Sequence, residues 1–264
     1  MKWFFGFNDE TIWYDNYIRY IKCAVNSAHA NTQLEPFFMY DGKQCALTDW
    51  LEANNVRVIY TRSRFYDHFH KLQKDRGFNA AVSSGAYLRV EIPTLIKNLD
   101  IADDFVLYTD CDVMFQNSVA ELNELKPRFF ACSAEFSQNN WNYFNSGVMW
   151  LNVKAMQASL DDFVGFMSSR DMTKFLSYDQ AAYNEFYKNK WDKLAIAYNW
   201  KPYWGCNNSA KIIHFHGLKI ENIEKILSGN TTRVPDVSLR LYNSSPVGYK
   251  KYYRMAKEFE ESND

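Results

Sequence analysis

Short apolar segments alternate with helical stretches along most of this chain, and this alternation constrains its fold more than any other feature. Residues 2–7, 36–40 and 105–109 are typical of strands, whereas residues 12–29 carry apolar side chains at helical spacing. The alternation predicts a layered α/β fold with a mainly parallel sheet. Ligands of such folds bind beyond the carboxyl ends of the strands, so we expect the functional site there.

Further elements follow the same pattern and suggest one large domain with a short tail. Apolar runs predict additional strands at residues 56–60, 129–133, 147–153 and 212–215. A helix predicted over residues 83–99 should be broken or kinked at Pro93, because proline removes a helical hydrogen bond. We assign residues 1–232 to the main domain and residues 233–264 to a C-terminal extension that contains an amphipathic basic helix.

Composition and charge exclude several classes of protein. Hydrophobic residues make up 47% of the 264 residues, which supplies a sizeable core and argues against disorder. The 30 Lys and Arg residues against 31 Asp and Glu leave a net charge of −1, so no nucleic-acid partner is expected. Five cysteines without a C-x-x-C pair, together with an N-terminal apolar stretch too short for a signal peptide, predict free thiols and a cytoplasmic location.

The strand at residues 105–109 runs directly into Asp110-Cys111-Asp112. Alternate residues of an extended chain project to the same side, so both carboxylates can point at one position beyond the strand. Paired carboxylate oxygens suit Mg²⁺ or Mn²⁺, which keeps coordination positions open for phosphates. The alternatives are a solvated acidic turn and the Asp-x-Asp of haloacid-dehalogenase phosphatases, although that motif normally lies on the first strand.

Further motifs accompany the Asp pair in a fixed order. They are YLRVEIPTL at residues 87–95, FNSGVMWLN at 144–152, YDQAAYN at 178–184, the Tyr-Asn pair that ends 194–199, and IIHFHGLK at 212–219. From about residue 5 to residue 219 the order resembles family 8 glycosyltransferases, the group of glycogenin and bacterial lipopolysaccharide galactosyl- and glucosyltransferases. The resemblance implies a GT-A fold, which is a Rossmann-like three-layer sandwich, and sugar transfer from a nucleotide donor with retention of configuration.

The resemblance also implies a metal site. Asp110, Asp112 and His214 match the metal ligands of the family, and an imidazole beside two carboxylates favours Mn²⁺, with Mg²⁺ as the alternative. Taken alone, His214 is equally typical of a hydrogen-bonded histidine at the end of a strand. With the Asp pair in place, we interpret it as a metal ligand.

Other positions match residues that the family directs at the nucleotide sugar. These are Asn8, Asp9, Tyr14, Arg89, Asp110, Asn145, Ser146, Gly147, Gly217 and Lys219. For Arg89 the alternative is an ordinary salt bridge to Glu91 or Asp104. The motif that begins at His214 is one residue shorter than the family's and lacks its Pro-Trp, so the acceptor side of this loop is left open.

Three positions match the catalytic region of the family: Asp179, Gln180 and Glu135. Asp179 is also typical of a helix N-terminus, and both interpretations can hold together. The family favours attack from the front face, with the leaving phosphate taking the proton of the acceptor. A covalent route would use Asp179 or Glu135 as the nucleophile.

The function expected from this resemblance is a metal-dependent retaining hexosyltransferase. The donor would be UDP-glucose or UDP-galactose, and the acceptor a glycan, glycolipid or glycoprotein. The alternatives are a nucleotide-sugar-binding protein without transfer activity and a sugar nucleotidyltransferase, although residues 5–10 lack the Gly-rich phosphate loop usual in the latter. Residues 247–259 predict a helix with a basic face, which fits peripheral contact with the cytoplasmic face of a membrane or docking on the domain.

Overall fold

The computed structural model describes residues 1–10, 14–76, 79–171 and 178–261. The chain divides into two units, each assembled from separate stretches of sequence. Unit 1 comprises Met1–Tyr14, Leu34–Asp110 and Glu121–Leu194. Unit 2 comprises Asp15–Gln33, Cys111–Ala120 and Ala195–Asp264.

The central sheet belongs to unit 1 and is mostly parallel. The strands of the described chain are β1 (Lys2–Asn8), β2 (Glu35–Asp41), β3 (Arg57–Tyr60), β4 (Phe105–Thr109), β5 (Val113–Phe115), β6 (Phe130–Ala134), β7 (Phe144–Asn152), β8 (Asp192–Lys193) and β9 (Ile212–His214). The sheet of unit 1 has the order β3-β2-β1-β4-β7-β6-β8. Only β7 runs antiparallel to its neighbours, β4 and β6, among these described strands. The predicted α/β class with a mainly parallel sheet is therefore confirmed.

The helices surround these strands in chain order. They are α1 (Tyr14–Asn31), α2 (Ala46–Ala53), α3 (Tyr66–Arg76), α4 (Ala80–Ala86), α5 (Ile92–Asn98), α6 (Val153–Ala158), α7 (Leu160–Ser168), α8 (Tyr178–Phe186), α9 (Ile220–Leu227), α10 (Asp236–Ser244) and α11 (Pro246–Glu261). The helix predicted over residues 83–99 consists of α4, a 3-10 helix at Tyr87–Glu91, and α5. Pro93 lies in the first turn of α5 and not at the break, because a first turn does not need the N–H that proline lacks.

The core of unit 1 explains where its polar residues lie. β1 is an almost continuous apolar run, and Trp3, Phe4 and Phe5 are fully buried, as expected of a parallel strand covered on both faces. Asn8 and Asp41 are paired in register at the ends of β1 and β2. Since β4 runs parallel to β1, Asp110 follows it at the same edge of the sheet.

Unit 2 has a core of its own. β5 and β9 form an antiparallel pair in which Val113 lies opposite His214. Helix α11 buries Tyr249 and Tyr252 in this core and leaves Lys250 exposed. None of the described helices is both long and apolar enough to cross a membrane.

Candidate active site

Asp110 lies at the carboxyl end of β4 and is held in place from two sides. Its backbone N–H donates to the carbonyl oxygen of Gly147 on β7 over 2.8 Å. The hydroxyl of Tyr108 donates to Oδ1 of Asp110 over 3.0 Å. The side chain remains partly exposed, so this carboxylate is fixed without being removed from solvent.

Arg89 connects two of the predicted site carboxylates within unit 1. Its side chain projects from the 3-10 helix Tyr87–Glu91 and is buried. Nη2 lies 2.8 Å from Oδ1 of Asp110, and Nε lies 3.1 Å from Oδ2 of Asp179. The guanidinium also donates to the backbone carbonyl of Ser146 and lies 4.2 Å from the ring centroid of Tyr108. This buried cation therefore fixes the spacing of the two carboxylates.

The alternative salt bridges considered for Arg89 go to other partners. Glu91 accepts from Arg64, with 2.8 Å between Oε2 and Nη2. Asp104 lies at the surface, 2.8 Å from the ammonium of Lys154. The direction of Arg89 toward the site is therefore observed, and its predicted contact with a nucleotide sugar stays a prediction.

Asp179 and Gln180 lie in the first turn of α8, where an acidic residue is also favoured by the helix dipole. Ser146 Oγ donates to Oδ2 of Asp179 over 3.3 Å. Gln180 Oε1 accepts from Nδ2 of Asn145 and from the backbone N–H of Ser146, each over 3.0 Å. Burial raises the pKa of Asp179 to about 6; Arg89 opposes this shift.

The segment Asn145-Ser146-Gly147 thus forms one hydrogen-bonded group with α8. Within the segment, Oδ1 of Asn145 accepts from the backbone N–H of Gly147 over 3.1 Å. The structure brings these predicted residues together with Asp179 and Gln180 in unit 1. Glu135, the remaining catalytic candidate, is buried directly after β6, and its backbone N–H donates to the carbonyl oxygen of Tyr143 over 3.3 Å.

The predicted nucleotide positions after β1 behave differently from one another. Asn8 is buried, donates from Nδ2 to Oδ2 of Asp41 over 3.0 Å, and accepts from the backbone N–H of Glu10 over 2.8 Å. Asp9 is exposed. The side chain of Tyr14 lies outside the described residues.

Asp41 was not among the predicted site residues, although it lies beside them. It is 4% exposed and binds Nε of Arg62 over 2.9 Å in addition to Asn8. Burial raises its pKa, with Arg62 acting in the opposite direction. The sequence Asp41-Gly42 was interpreted only as a turn. Its position after a parallel strand, like that of Asp110, is the signal that could have identified it.

Unit 2 brings together Asp112, His214 and Lys219. Oδ1 of Asp112 lies 3.4 Å from Nε2 of His214, and the ammonium of Lys219 contacts Oδ2 of Asp112. Asp112 and His214 are 3% and 2% exposed. Burial favours a higher pKa for Asp112, but Lys219 and His214 outweigh it and hold this pKa well below its usual range.

Backbone pairing explains why these distant residues meet. Val113 and His214 are opposite each other on β5 and β9, and the N–H of Phe215 donates to the carbonyl oxygen of Asp112 over 2.9 Å. Gly217 then turns the chain toward Lys219 with φ of +79°, in the region that favours glycine. A Cβ at Gly217 would also lie 2.8 Å from Cδ1 of Leu241.

The donor set fits a divalent cation. Asp112 and His214 offer a carboxylate and an imidazole side by side, and Asp110 is tied to Asp112 through one intervening residue. Covalent geometry limits the separation of two such Cα atoms to about 7 Å. Two hard oxygen donors and one imidazole suit Mn²⁺ or Mg²⁺.

The chain belongs to glycosyltransferase family 8, because the model of glycosyl transferase family 8 matches residues 13–219. It is therefore a glycosyltransferase, which confirms the family inferred from the order of the motifs. No curated protein sequence matches the chain with significance.

Solved structures of glycosyltransferases share its fold. The apo-form glycosyltransferase GlyE of Streptococcus pneumoniae TIGR4 is 16% identical with a TM-score of 0.61; the match covers 96% of this chain but 64% of GlyE, less than two thirds. Galactosyltransferase LgtC, in complex with donor and acceptor sugar analogues, is 18% identical with a TM-score of 0.64, covering 91% of this chain and 100% of LgtC. Bifunctional WbbM in its apo structure is 16% identical with a TM-score of 0.60, covering 93% and 52%. The predicted GT-A fold is confirmed.

Proposed function

We propose that this glycosyltransferase is a metal-dependent, retaining hexosyltransferase that uses a UDP-hexose. Glucose or galactose is the sugar, and a glycan, glycolipid or glycoprotein is the acceptor. The observation that carries the proposal is the buried pair of Asp112 and His214, with Asp110 two residues before it. A galactosyltransferase such as LgtC, whose structure contains donor and acceptor sugar analogues, supports a hexose donor.

We assign Asp110, Asp112 and His214 as the residues that would hold Mn²⁺ or Mg²⁺. When bound, the cation acts as a Lewis acid that neutralises charge on the departing nucleoside diphosphate. Lys219 is the second source of positive charge in unit 2. Its ammonium contacts Asp112, and its flexible stem lets it turn toward a phosphate.

The residues of unit 1 are proposed to hold the sugar and the developing positive charge at its anomeric carbon. Asp179 and Gln180 present oxygen-bearing side chains whose orientation is fixed by Ser146, Asn145 and Arg89. Prepositioned groups of this kind act without reorganisation in the transition state.

The pairing of Asp179 supports attack from the front face. Its Oδ2 is bound by Nε of Arg89 and Oγ of Ser146, so this oxygen is engaged in positioning. In the front-face route the oxygen of the acceptor attacks on the side from which the diphosphate departs. The departing phosphate oxygen then takes the acceptor's proton. Asp179 and Glu135 remain the candidates for nucleophile in a covalent route.

Turnover of UDP-glucose, UDP-galactose and other nucleotide sugars in the presence of Mn²⁺ tests the proposal. We expect slow hydrolysis of one UDP-hexose that is abolished by chelator and by Asp112→Asn. Asp104→Asn is the matched control, because it removes an exposed carboxylate of unit 1 that is bound to Lys154. Binding of UDP without turnover, even with added acceptor sugars, would favour a nucleotide-sugar-binding protein. Failure to bind any nucleotide sugar would refute the proposal.

We further propose a cytoplasmic location with peripheral contact at the cytoplasmic face of a membrane. The five cysteines are free thiols, which fits a reducing compartment. On α11, Tyr249 and Tyr252 face the core of unit 2, while Lys250 and Arg254 are exposed. Val247 is 71% exposed near the start of the same helix. A basic surface with an exposed apolar residue suits anionic lipid headgroups.

Sedimentation with vesicles of phosphatidylserine and phosphatidylcholine tests the membrane contact. The double variant Lys250→Ser/Arg254→Ser should bind these vesicles several-fold more weakly than the wild type. The control variant Lys43→Ser/Lys188→Ser removes two exposed lysines of unit 1 and changes the net charge equally. Equal loss in both variants, or no loss in either, would contradict a specific role of α11.

A further inference from the structure

We infer that Asn199 is a positioning residue for His214, which it holds in the tautomer and orientation that a metal ligand requires. Oδ1 of Asn199 lies 3.0 Å from Nδ1 of His214. Asn199 is fully buried and His214 is 2% exposed. This inference rests on the metal site of the proposed function and adds a residue that does not itself bind the metal.

The backbone fixes Asn199 beside β9 through three hydrogen bonds. The N–H of Lys211 donates to the carbonyl oxygen of Ala197 over 2.7 Å, and the N–H of Trp200 donates to that of Ile212 over 2.9 Å. The N–H of His214 returns to the carbonyl oxygen of Trp200 over 2.8 Å. Asn199 therefore cannot move relative to His214 without breaking this pairing.

The amide oxygen determines which ring nitrogen carries the hydrogen. A carbonyl oxygen only accepts, so Nδ1 of His214 must be the donor in this contact. Nε2 is then the nitrogen that can offer a lone pair to a cation. It points at Oδ1 of Asp112 over 3.4 Å, so the two candidate ligand atoms face the same position.

Removing the amide should weaken the metal site without removing a ligand. Partners that bind the second nitrogen of a metal-bound histidine typically contribute about 10–100-fold in metal affinity. Asn199→Leu deletes the acceptor in a buried position, which frees the ring to rotate and to place its hydrogen on Nε2. Asn199→Asp retains an oxygen at the same distance and should restore binding.

Electron paramagnetic resonance titration of free Mn²⁺ measures the affinity directly, independent of turnover. We expect Asn199→Leu to raise the Mn²⁺ dissociation constant by about 10–100-fold and Asn199→Asp to restore it to within a few-fold of the wild type. Asn26→Leu is the matched control, because Asn26 is a buried amide of unit 2 that donates to the carbonyl oxygen of Phe259 over 2.7 Å. Its dissociation constant should equal that of the wild type.

Equal affinities of wild type and Asn199→Leu would overturn the inference and leave the metal site intact. Absence of Mn²⁺ binding by the wild type would instead overturn the metal site itself, and with it the inference. Should Asn199→Leu fail to fold, nitrogen NMR of the metal-free wild type labelled in histidine decides, with His214→Gln for assignment. A hydrogen on Nδ1 of His214 is expected, and a hydrogen on Nε2 alone would overturn the inference.

Discussion

Arg89 shows how one buried side chain can organise a site that is far apart in sequence. It is 4% exposed and binds Asp110 and Asp179, which are 21 and 90 positions further along the chain. A buried cation that binds two carboxylates is strongly held once formed, although burying it costs desolvation free energy. The arrangement therefore depends on all three side chains being present.

Replacing Arg89 by methionine should destabilise unit 1 severely. Asp110 and Asp179 would lose their shared partner, and an unpaired buried carboxylate costs about 3–5 kcal/mol. Urea unfolding followed by circular dichroism measures this loss. Lys154→Met is the control, because it removes a salt bridge in which both side chains are mostly exposed and should cost below about 1 kcal/mol. Equal effects of the two variants would contradict the importance of the buried network.

The raised pKa of Asp179 should appear in the dependence of stability on pH. Its folded pKa of about 6 lies above the ordinary value of about 3.9, so the folded protein binds more protons between these values than the unfolded chain. The free energy of unfolding should therefore fall as pH rises from about 4 to about 6, by at most about 3 kcal/mol from this group.

Asp179→Asn removes this contribution, and the difference between variant and wild type isolates it from other titrating groups. Urea unfolding at a series of pH values from 4 to 8 measures the difference. The stability of the variant relative to the wild type should increase across the pH 4–6 window and stay constant above it. Parallel curves across the window would show that the carboxyl of Asp179 titrates normally in the folded protein.

At the level of elements, local sequence accounts for most strands because their signal is local. The apolar run of β4 was predicted with its exact bounds, Phe105–Thr109, since a strand buried on both faces has to be apolar throughout. β5 and β8 were not predicted, because strands of three and two residues show no period. The break between α4 and α5 was placed at Pro93, whereas it occurs over Tyr87–Glu91.

The candidate site was predictable only where its residues share a motif. Asp110 and Asp112 follow one strand, so spacing alone brings their carboxylates together. The contacts of Arg89 with Asp179 and of Asn199 with His214 depend on strand order and register, which the sequence does not reveal. Resemblance to the family supplied some of these residues, but it did not supply Asn199.

Helix α9 offers a test of how a long-range hydrogen bond fixes an element. Tyr20 on α1 accepts from the backbone N–H of Ile220 over 2.6 Å and donates to Oε2 of Glu221 over 2.7 Å. The N–H of Ile220 belongs to the first turn of α9 and has no partner within its own helix. The hydroxyl of Tyr20 therefore acts as a cap from a distant part of unit 2.

Tyr20→Phe should lower the free energy of unfolding by about 1–3 kcal/mol, because it leaves a buried N–H without an acceptor. Tyr249→Phe is the control: the hydroxyl of Tyr249 is buried and has no hydrogen-bond partner among the described residues. Removing it should be neutral or slightly stabilising. Thermal unfolding of both variants distinguishes them, and equal destabilisation would argue against the capping role.

At the scale of the whole molecule, the order of the chain conceals the two units. Unit 2 uses three separate stretches, and the chain passes from unit 1 to unit 2 directly after Asp110. Asp110 and Asp112 thus belong to different units although only Cys111 separates them. A division of the sequence at residue 232 does not follow these units, because residues 233–264 contribute to the same core as Ile213 and Ile223.

Removal of residues 233–264 should therefore prevent unit 2 from folding. The deletion takes Tyr242, Tyr249 and Tyr252 out of the core, where each is at most 8% exposed. Burial of a large apolar side chain contributes about 1.5–3 kcal/mol, so the combined loss is comparable to the total stability of a typical domain, about 5–15 kcal/mol. Near-ultraviolet circular dichroism and binding of a hydrophobic dye measure the outcome.

We expect the chain of residues 1–232 to lose part of its near-ultraviolet signal and to bind the dye, as a protein with an exposed core does. Lys250→Ser/Arg254→Ser is the matched control, since it alters the same helix at exposed positions and leaves the buried tyrosines in place. A deleted chain that unfolds cooperatively at the temperature of the wild type would show that residues 233–264 form a separable extension. Since their buried face is shared with α1, α9 and β9, cooperative loss of unit 2 is the expected result.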